Sequence, residues 1–246
     1  MTSPADIDGA HAEAAKRLIV ALDFPTAQEA AHLAGQLRNH VGVFKIGLEL
    51  VYADGLGLAR QLAEGGHQIF LDAKLLDIPN TVERATANAA RLGAAFLTVH
   101  GTDRKTLDAA VRGRGSAATK LLAITVLTSL DEADLKQQNI GLSPAELVLS
   151  RARLARDAGF DGIVASAHEA SLLRVELGDS LIIVTPGIRP AGAEAADQSR
   201  VVTPSEAIEQ GADYLVVGRP ISAAPDPRGA ARDIIAEMAA ARSRLR

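Results

Sequence analysis

Asp72, Lys74 and Asp77 crowd the run Asp72-Ala73-Lys74-Leu75-Leu76-Asp77-Ile78-Pro79-Asn80-Thr81, directly behind the apolar stretch Ile69-Phe70-Leu71. An apolar stretch of that kind reads as a buried strand, and strand alternation would send Asp72 and Lys74 to the same face. Charge beside an apolar core is costly unless the charges pair or perform chemistry. A set of this kind is therefore either a structural ion pair at a strand end or a device for handling charge and protons.

Such residues need a scaffold, and short Val/Ile/Leu-rich runs recur along the chain to provide one. They are Leu18–Leu22, Val43–Leu48, Gln68–Leu71, Ala95–Val99, Leu121–Leu127, Gly162–Ala165, Leu181–Val184 and Tyr214–Val217. Their continuous apolarity suits parallel strands covered on both faces. Ala/Leu/Glu/Arg-rich segments such as Ala27–Leu37, Leu56–Ala63, Thr81–Leu92 and Pro144–Ala158 fall between them and read as helices. Gly65, Gly93, Gly159 and Gly211 sit where a left-handed C-terminal cap is expected, and Asp226-Pro227 opens the last helix. Eight such units in 246 residues predict a TIM (β/α)8 barrel over residues 17–246, preceded by a polar extension over 1–16. A doubly wound open sheet is the alternative, but no Gly-x-Gly-x-x-Gly follows the first strand, which ends in Asp23-Phe24-Pro25. One connection, Gly187–Val202, is long enough to be a lid or binding loop.

Composition excludes several classes. The net charge is −4, and no basic tract interleaved with aromatics points to nucleic acid. No apolar run approaches the ~20 residues of a membrane span, and the first residues lack the apolar core of a signal peptide. The chain has no cysteine, which suits a reducing cytoplasm and rules out a thiolate nucleophile; its six histidines lack metal-ligand spacing, so no metal is expected.

In a barrel of this type the site lies at the C-terminal ends of the strands. Those ends carry Asp23, Lys45, Asp72 with Lys74, His100, Thr128 with Ser129, Thr185-Pro186-Gly187-Ile188-Arg189, and Gly218-Arg219-Pro220. Singly each has a plain explanation: Lys45 can snorkel, Asp23 can cap the next helix, His100 can be structural. Together, ionisable groups at successive strand ends are hard to explain as packing. The ends of strands 7 and 8 read as a phosphate site, with Gly187 and Gly218 allowing close backbone approach and Arg219 pairing with phosphate oxygens.

With these motifs in order, the chain resembles the orotidine 5′-phosphate decarboxylase family from about Arg17 to the final helix. The resemblance rests on Ala21-Leu22-Asp23, Phe44-Lys45-Ile46-Gly47, Asp72 through Thr81, Val126-Leu127-Thr128-Ser129, Thr185 through Pro190, Asp197-Gln198 and Val217-Gly218-Arg219-Pro220. The chain departs from many relatives in the uncharged residues of Ala73-Lys74-Leu75-Leu76. The resemblance implies decarboxylation of orotidine 5′-phosphate to UMP and CO2, the last step of UMP biosynthesis, without cofactor or metal. It implies Lys74 as proton donor to C6, in a charge network with Lys45, Asp72 and Asp77. It implies a homodimer in which Asp77 and Thr81 enter the neighbouring subunit's site. Asp23 and Lys45 are then expected at the ribose, Thr128 and Gln198 at the pyrimidine, and Arg189, Gly218 and Arg219 at the phosphate. The rivals are a magnesium-dependent phosphosugar decarboxylase or synthase on the same scaffold, and a catalytically silent nucleotide-binding barrel.

Overall fold

The computed structural model of the chain describes residues 4–190 and 202–245. Helix α1 (Pro4–Ala15) precedes β1 (Leu18–Ala21), α2 (Ala27–Gln36), β2 (Val43–Gly47), α3 (Leu48–Val51), α4 (Gly55–Glu64) and β3 (Gln68–Leu75). Next come α5 (Pro79–Leu92), β4 (Phe96–His100), α6 (Arg104–Arg114), β5 (Lys120–Ile124), α7 (Glu132–Gln137), α8 (Pro144–Ala158) and β6 (Gly162–Val164). The chain continues through α9 (Ala167–Leu177), β7 (Ile182–Thr185), α10 (Pro204–Glu209), β8 (Tyr214–Val217), α11 (Arg219–Ser222) and α12 (Pro227–Arg244). The strands pair in parallel in chain order and β8 returns to β1, so the sheet closes and leaves no edge open to another chain. This is the expected TIM barrel.

Local chemistry explains where the helices begin. Ser143 with Glu146 and Thr203 with Glu206 form reciprocal capping boxes ahead of α8 and α10, each with proline in the first turn. Thr26, not Asp23, caps α2 by accepting a hydrogen bond from the Glu29 amide, which leaves Asp23 available to the barrel mouth. Gly93, Gly159 and Gly211 take the left-handed conformation, as expected. Gly65 does not: it ends α4 with φ −74°, and Gly66 takes the left-handed turn one residue later, at φ 84°. No described helix is long and apolar enough to cross a membrane.

Two apolar layers hold the barrel. The larger joins the outward strand faces to the helices, and Ala14 of α1 is buried in it. The smaller fills the barrel, with Ile19, Val43, Phe70, Phe96, Leu122, Val184 and Val216 meeting at its centre. Phe96 packs edge-on against both Phe70 and Tyr214, with centroids 5.9 and 5.3 Å away. Truncating a buried phenylalanine typically costs ~3–5 kcal/mol, so this plug forms a firm floor. Alternation then lifts the next inward residues, Lys45, Asp72, Thr98 and Ile124, towards the mouth.

Two strand boundaries differ from expectation by more than one residue. Strand β5 stops at Ile124 because Leu127–Leu130 is a turn, closed by the Leu130 amide donating to the Leu127 carbonyl over 2.9 Å. Strand β3 continues to Leu75 because it bulges: Leu71 faces Leu97 and Leu75 faces Val99, so four residue steps on β3 face two on β4. The described ends of the long β7–α10 connection are joined by a bridge between Ile188 and Val202 and by the Arg189 amide donating to the Val202 carbonyl over 3.1 Å.

Candidate active site

A cavity of about 650 Å³ opens at the C-terminal mouth of the barrel, above Phe70 and Val216. Asp23, Lys45, Asp72, Lys74, Thr128, Arg189, Gly218 and Arg219 all line it, although they come from strand ends spread over most of the chain. The expected grouping therefore forms by closure of the sheet.

Four of these groups make a row of alternating charge. Lys45 Nζ donates to Asp23 Oδ1 over 2.9 Å and lies 3.7 Å from Asp72 Oδ2, while Lys74 Nζ donates to the same Asp72 oxygen over 2.7 Å. The Lys45 side chain is only 9% exposed and Asp72 14%. At that burial, stripping away one partner strands the other and typically costs ~3–5 kcal/mol. Burial alone would raise the Asp72 carboxyl. The ammoniums of Lys45 and Lys74 and the Thr98 hydroxyl outweigh it and hold the carboxyl below its ordinary value. Asp72 is thus a fixed anion between two cations, and the Lys74 ammonium is presented to the cavity.

Asp72 and Lys74 both line the cavity, as expected, but strand alternation is not what puts them there. Regular pleating would carry both inward, yet β3 bulges at this point and Lys74 adopts the left-handed conformation at φ 47°. That conformation costs a residue with a Cβ ~1–2 kcal/mol, so the surroundings must hold it. The Lys74 amide donates to Thr98 Oγ1, and Thr98 Oγ1 donates to Asp72 Oδ1, each over 2.9 Å.

Gly47, a residue with no side chain to advertise a role, sets the spacing of the row. A Cβ there would fall 2.8 Å from Asp23 Oδ1 and 2.9 Å from Lys45 Nζ, inside their contact distance. Gly47→Ala should therefore displace the Asp23–Lys45 pair and lower kcat/KM on the order of 100-fold. Steady-state kinetics beside a thermal melt checks this; unchanged kinetics would mean the pair is free to shift.

The opposite side of the mouth is cationic. Arg189 is buried and its Nη1 donates to the carbonyl of Ile188, while Arg219 is exposed at the start of α11. Burial, then the like charge of Arg219, lowers the Arg189 pKa from its ordinary value, though a guanidinium remains charged. Gly187 turns there at φ 79°, a conformation glycine adopts without strain. Two guanidiniums sharing one corner form a local anion trap in a chain of negative net charge.

Other expected residues lie elsewhere. Asp77 and Thr81 are exposed and outside the cavity lining; Asp77 Oδ1 accepts the Ile78 amide over 2.6 Å. Ser129 is exposed and also outside it. His100 is half-buried behind Lys74; burial, then Lys74 and Arg151, lower its pKa, with Asp72 opposing. Asp197 and Gln198 fall outside the described residues. Among the described residues no group of three or more His, Cys, Asp or Glu could hold a metal ion. Thr98, the third member of the Asp72–Lys74 arrangement, is a functional residue outside the expected set. Alternation from Phe96 would have pointed it inward beside Asp72.

Residues 16–234 match the family described as Orotidine 5'-phosphate decarboxylase / HUMPS family. A curated relative from Methylobacterium nodulans, named orotidine 5'-phosphate decarboxylase, is 54% identical over 228 residues, which is 92% of this chain and 96% of its own. A relative of the same name from Rhodopseudomonas palustris strain BisA53 is 52% identical over 229 residues, 93% of this chain and 97% of its own. The crystal structure of orotidine 5'-phosphate decarboxylase from Lactobacillus acidophilus superposes with a TM-score of 0.79 at 38% identity, covering 90% of this chain and 98% of that one.

Proposed function

The chain belongs to the orotidine 5′-phosphate decarboxylase / HUMPS family, and we propose that Lys74 carries its chemistry, the conversion of orotidine 5′-phosphate to UMP and CO2 in pyrimidine biosynthesis. The observation that supports this role is the Lys74 ammonium, held 2.7 Å from the half-buried Asp72 carboxylate at the wall of the cavity.

Breaking the bond from C6 to the carboxylate releases CO2 and leaves an electron pair on C6 that the ring does not delocalise in the usual way. The Lys74 ammonium stabilises that pair as it develops, then gives its proton to C6, forming the C–H bond of UMP. Solvent returns a proton to the resulting amine. Asp72 beside the departing carboxylate adds repulsion in the ground state. Two charges 4 Å apart interact by roughly 4 kcal/mol at an effective dielectric of 20. Enzymes lower barriers by roughly 8–23 kcal/mol, so repulsion is the smaller contribution and stabilisation by Lys74 the larger. Asp23 and Lys45 hold the ribose, Thr128 the pyrimidine, with Gln198 assigned beside it. Arg189, Gly218 and Arg219 grip the phosphate, whose binding energy is remote from the reacting bond and is available to position the base.

On this reading the reaction needs no cofactor, residues 17–246 form the decarboxylase unit, and the enzyme works in the cytoplasm as a homodimer. The direct test is the loss of orotidylate absorbance with and without a metal chelator. Turnover unaffected by chelation is expected; no turnover overturns the assignment, and chelator-sensitive turnover overturns its cofactor-free form.

Asp77 and Thr81 face outward beside the exposed apolar Leu76 and Ile78, which are 54% and 67% exposed. That placement supports their entering a neighbouring subunit's cavity. Mixing Lys74→Ala and Asp77→Ala proteins, each inactive alone, should then recover about a quarter of wild-type activity. Random exchange makes half the dimers hybrids, each with one intact site. No recovery after verified subunit exchange would remove the shared-site assignment.

A further inference from the structure

We propose that Thr98 is a positioning residue that aims Lys74 by locking the β3 bulge through its hydroxyl. Between Leu97 and Val99 it is the one β4 residue opposite the surplus segment Asp72-Ala73-Lys74 of β3. It is fully buried and does not line the cavity, so it acts through its neighbours and not on substrate.

Both capacities of its hydroxyl are used. Thr98 Oγ1 accepts the Lys74 amide and donates to Asp72 Oδ1, each over 2.9 Å. The amide that it accepts belongs to a residue at φ 47°, where a lysine does not rest unaided. The carboxylate to which it donates uses its other oxygen, Oδ2, to hold the Lys74 ammonium at 2.7 Å. One hydroxyl therefore fixes Lys74 at both ends, the backbone directly and the ammonium through Asp72. A buried donor or acceptor left unmatched is costly, so the bulge has one satisfied arrangement and it is the one that points Lys74 at the cavity. Serine keeps both hydrogen bonds, valine keeps the shape without them, and alanine keeps neither.

The inference rests on Lys74 being the group that protonates substrate, so Lys74→Ala belongs in the same series. Thr98→Val and Thr98→Ala should lower kcat by about 30- to 100-fold, the range expected when a catalytic group is misplaced by ~1 Å. KM and the affinity for UMP should stay within about threefold, because the ribose and phosphate contacts lie elsewhere. Thr98→Ser should stay within about threefold of wild type in kcat. If valine does not fold, the serine and alanine variants, which differ by the hydroxyl alone, decide the matter. Kinetics of Thr98→Val or Thr98→Ala near wild type with Lys74→Ala dead would overturn this inference alone. A fall in Thr98→Ser as deep as in Thr98→Ala would also overturn it, by assigning the role to the methyl group. An active Lys74→Ala would instead overturn the reading of Lys74 on which it stands.

Discussion

Lys74→Ala should lower kcat/KM for orotidine 5′-phosphate by at least about 10⁴-fold. A positioned proton donor contributes ~10²–10⁴ and a preorganised charge beside a developing anion ~10²–10³; one ammonium supplies both here. The variant should still fold. The backbone amide that bonds Thr98 is retained, and Lys45 remains 3.7 Å from Asp72 to compensate its charge. Alanine also bears the same left-handed backbone that lysine does. Single-turnover decarboxylation beside a UMP titration separates chemistry from binding. Lost turnover with intact UMP binding is expected, whereas turnover within tenfold of wild type would mean the proton comes from elsewhere.

Arg219→Ala should weaken substrate and UMP alike, by ~10²–10³-fold in kcat/KM and in affinity. Charge-assisted hydrogen bonds are worth ~1.5–3 kcal/mol each, and a guanidinium can place two on one phosphate. The residue is exposed at the start of α11, so its removal leaves the core untouched. Arg189 stays in place, buried and bonded to the Ile188 carbonyl, and sets a floor under the loss. Orotidine, which lacks the phosphate, is the control: its slow turnover should be the same in wild type and variant. Equal losses for nucleotide and nucleoside would show that Arg219 acts on something other than phosphate.

The architecture was legible because its signals are local. The Ala/Leu/Glu/Arg-rich segment Pro144–Ala158 is marked by its composition and by Gly159 just past it, and the structure has the helix over the same residues, with Ser143 and Glu146 capping its start. The candidate site was legible as a set of residue types at strand ends, since a parallel barrel places all those ends on one rim. Composition did not show where two local turns fall: the left-handed residue after α4 is Gly66 instead of Gly65, and the Leu127–Leu130 turn stops β5 at Ile124.

The amino-acid sequence by itself determined the eight β-then-α units, the cationic and anionic residues at their ends, and the family to which they belong. Periodicity and capping depend on neighbours a few residues apart, so they need no fold to be read. Only the tertiary structure decided how Lys74 is aimed. Alternation is a property of one strand, whereas a bulge is set by hydrogen-bond partners on the next, and Thr98 lies 24 residues from Lys74 in the chain. The same holds for Gly47, whose missing side chain matters because closure of the barrel brings Asp23 and Lys45 together in the space it leaves.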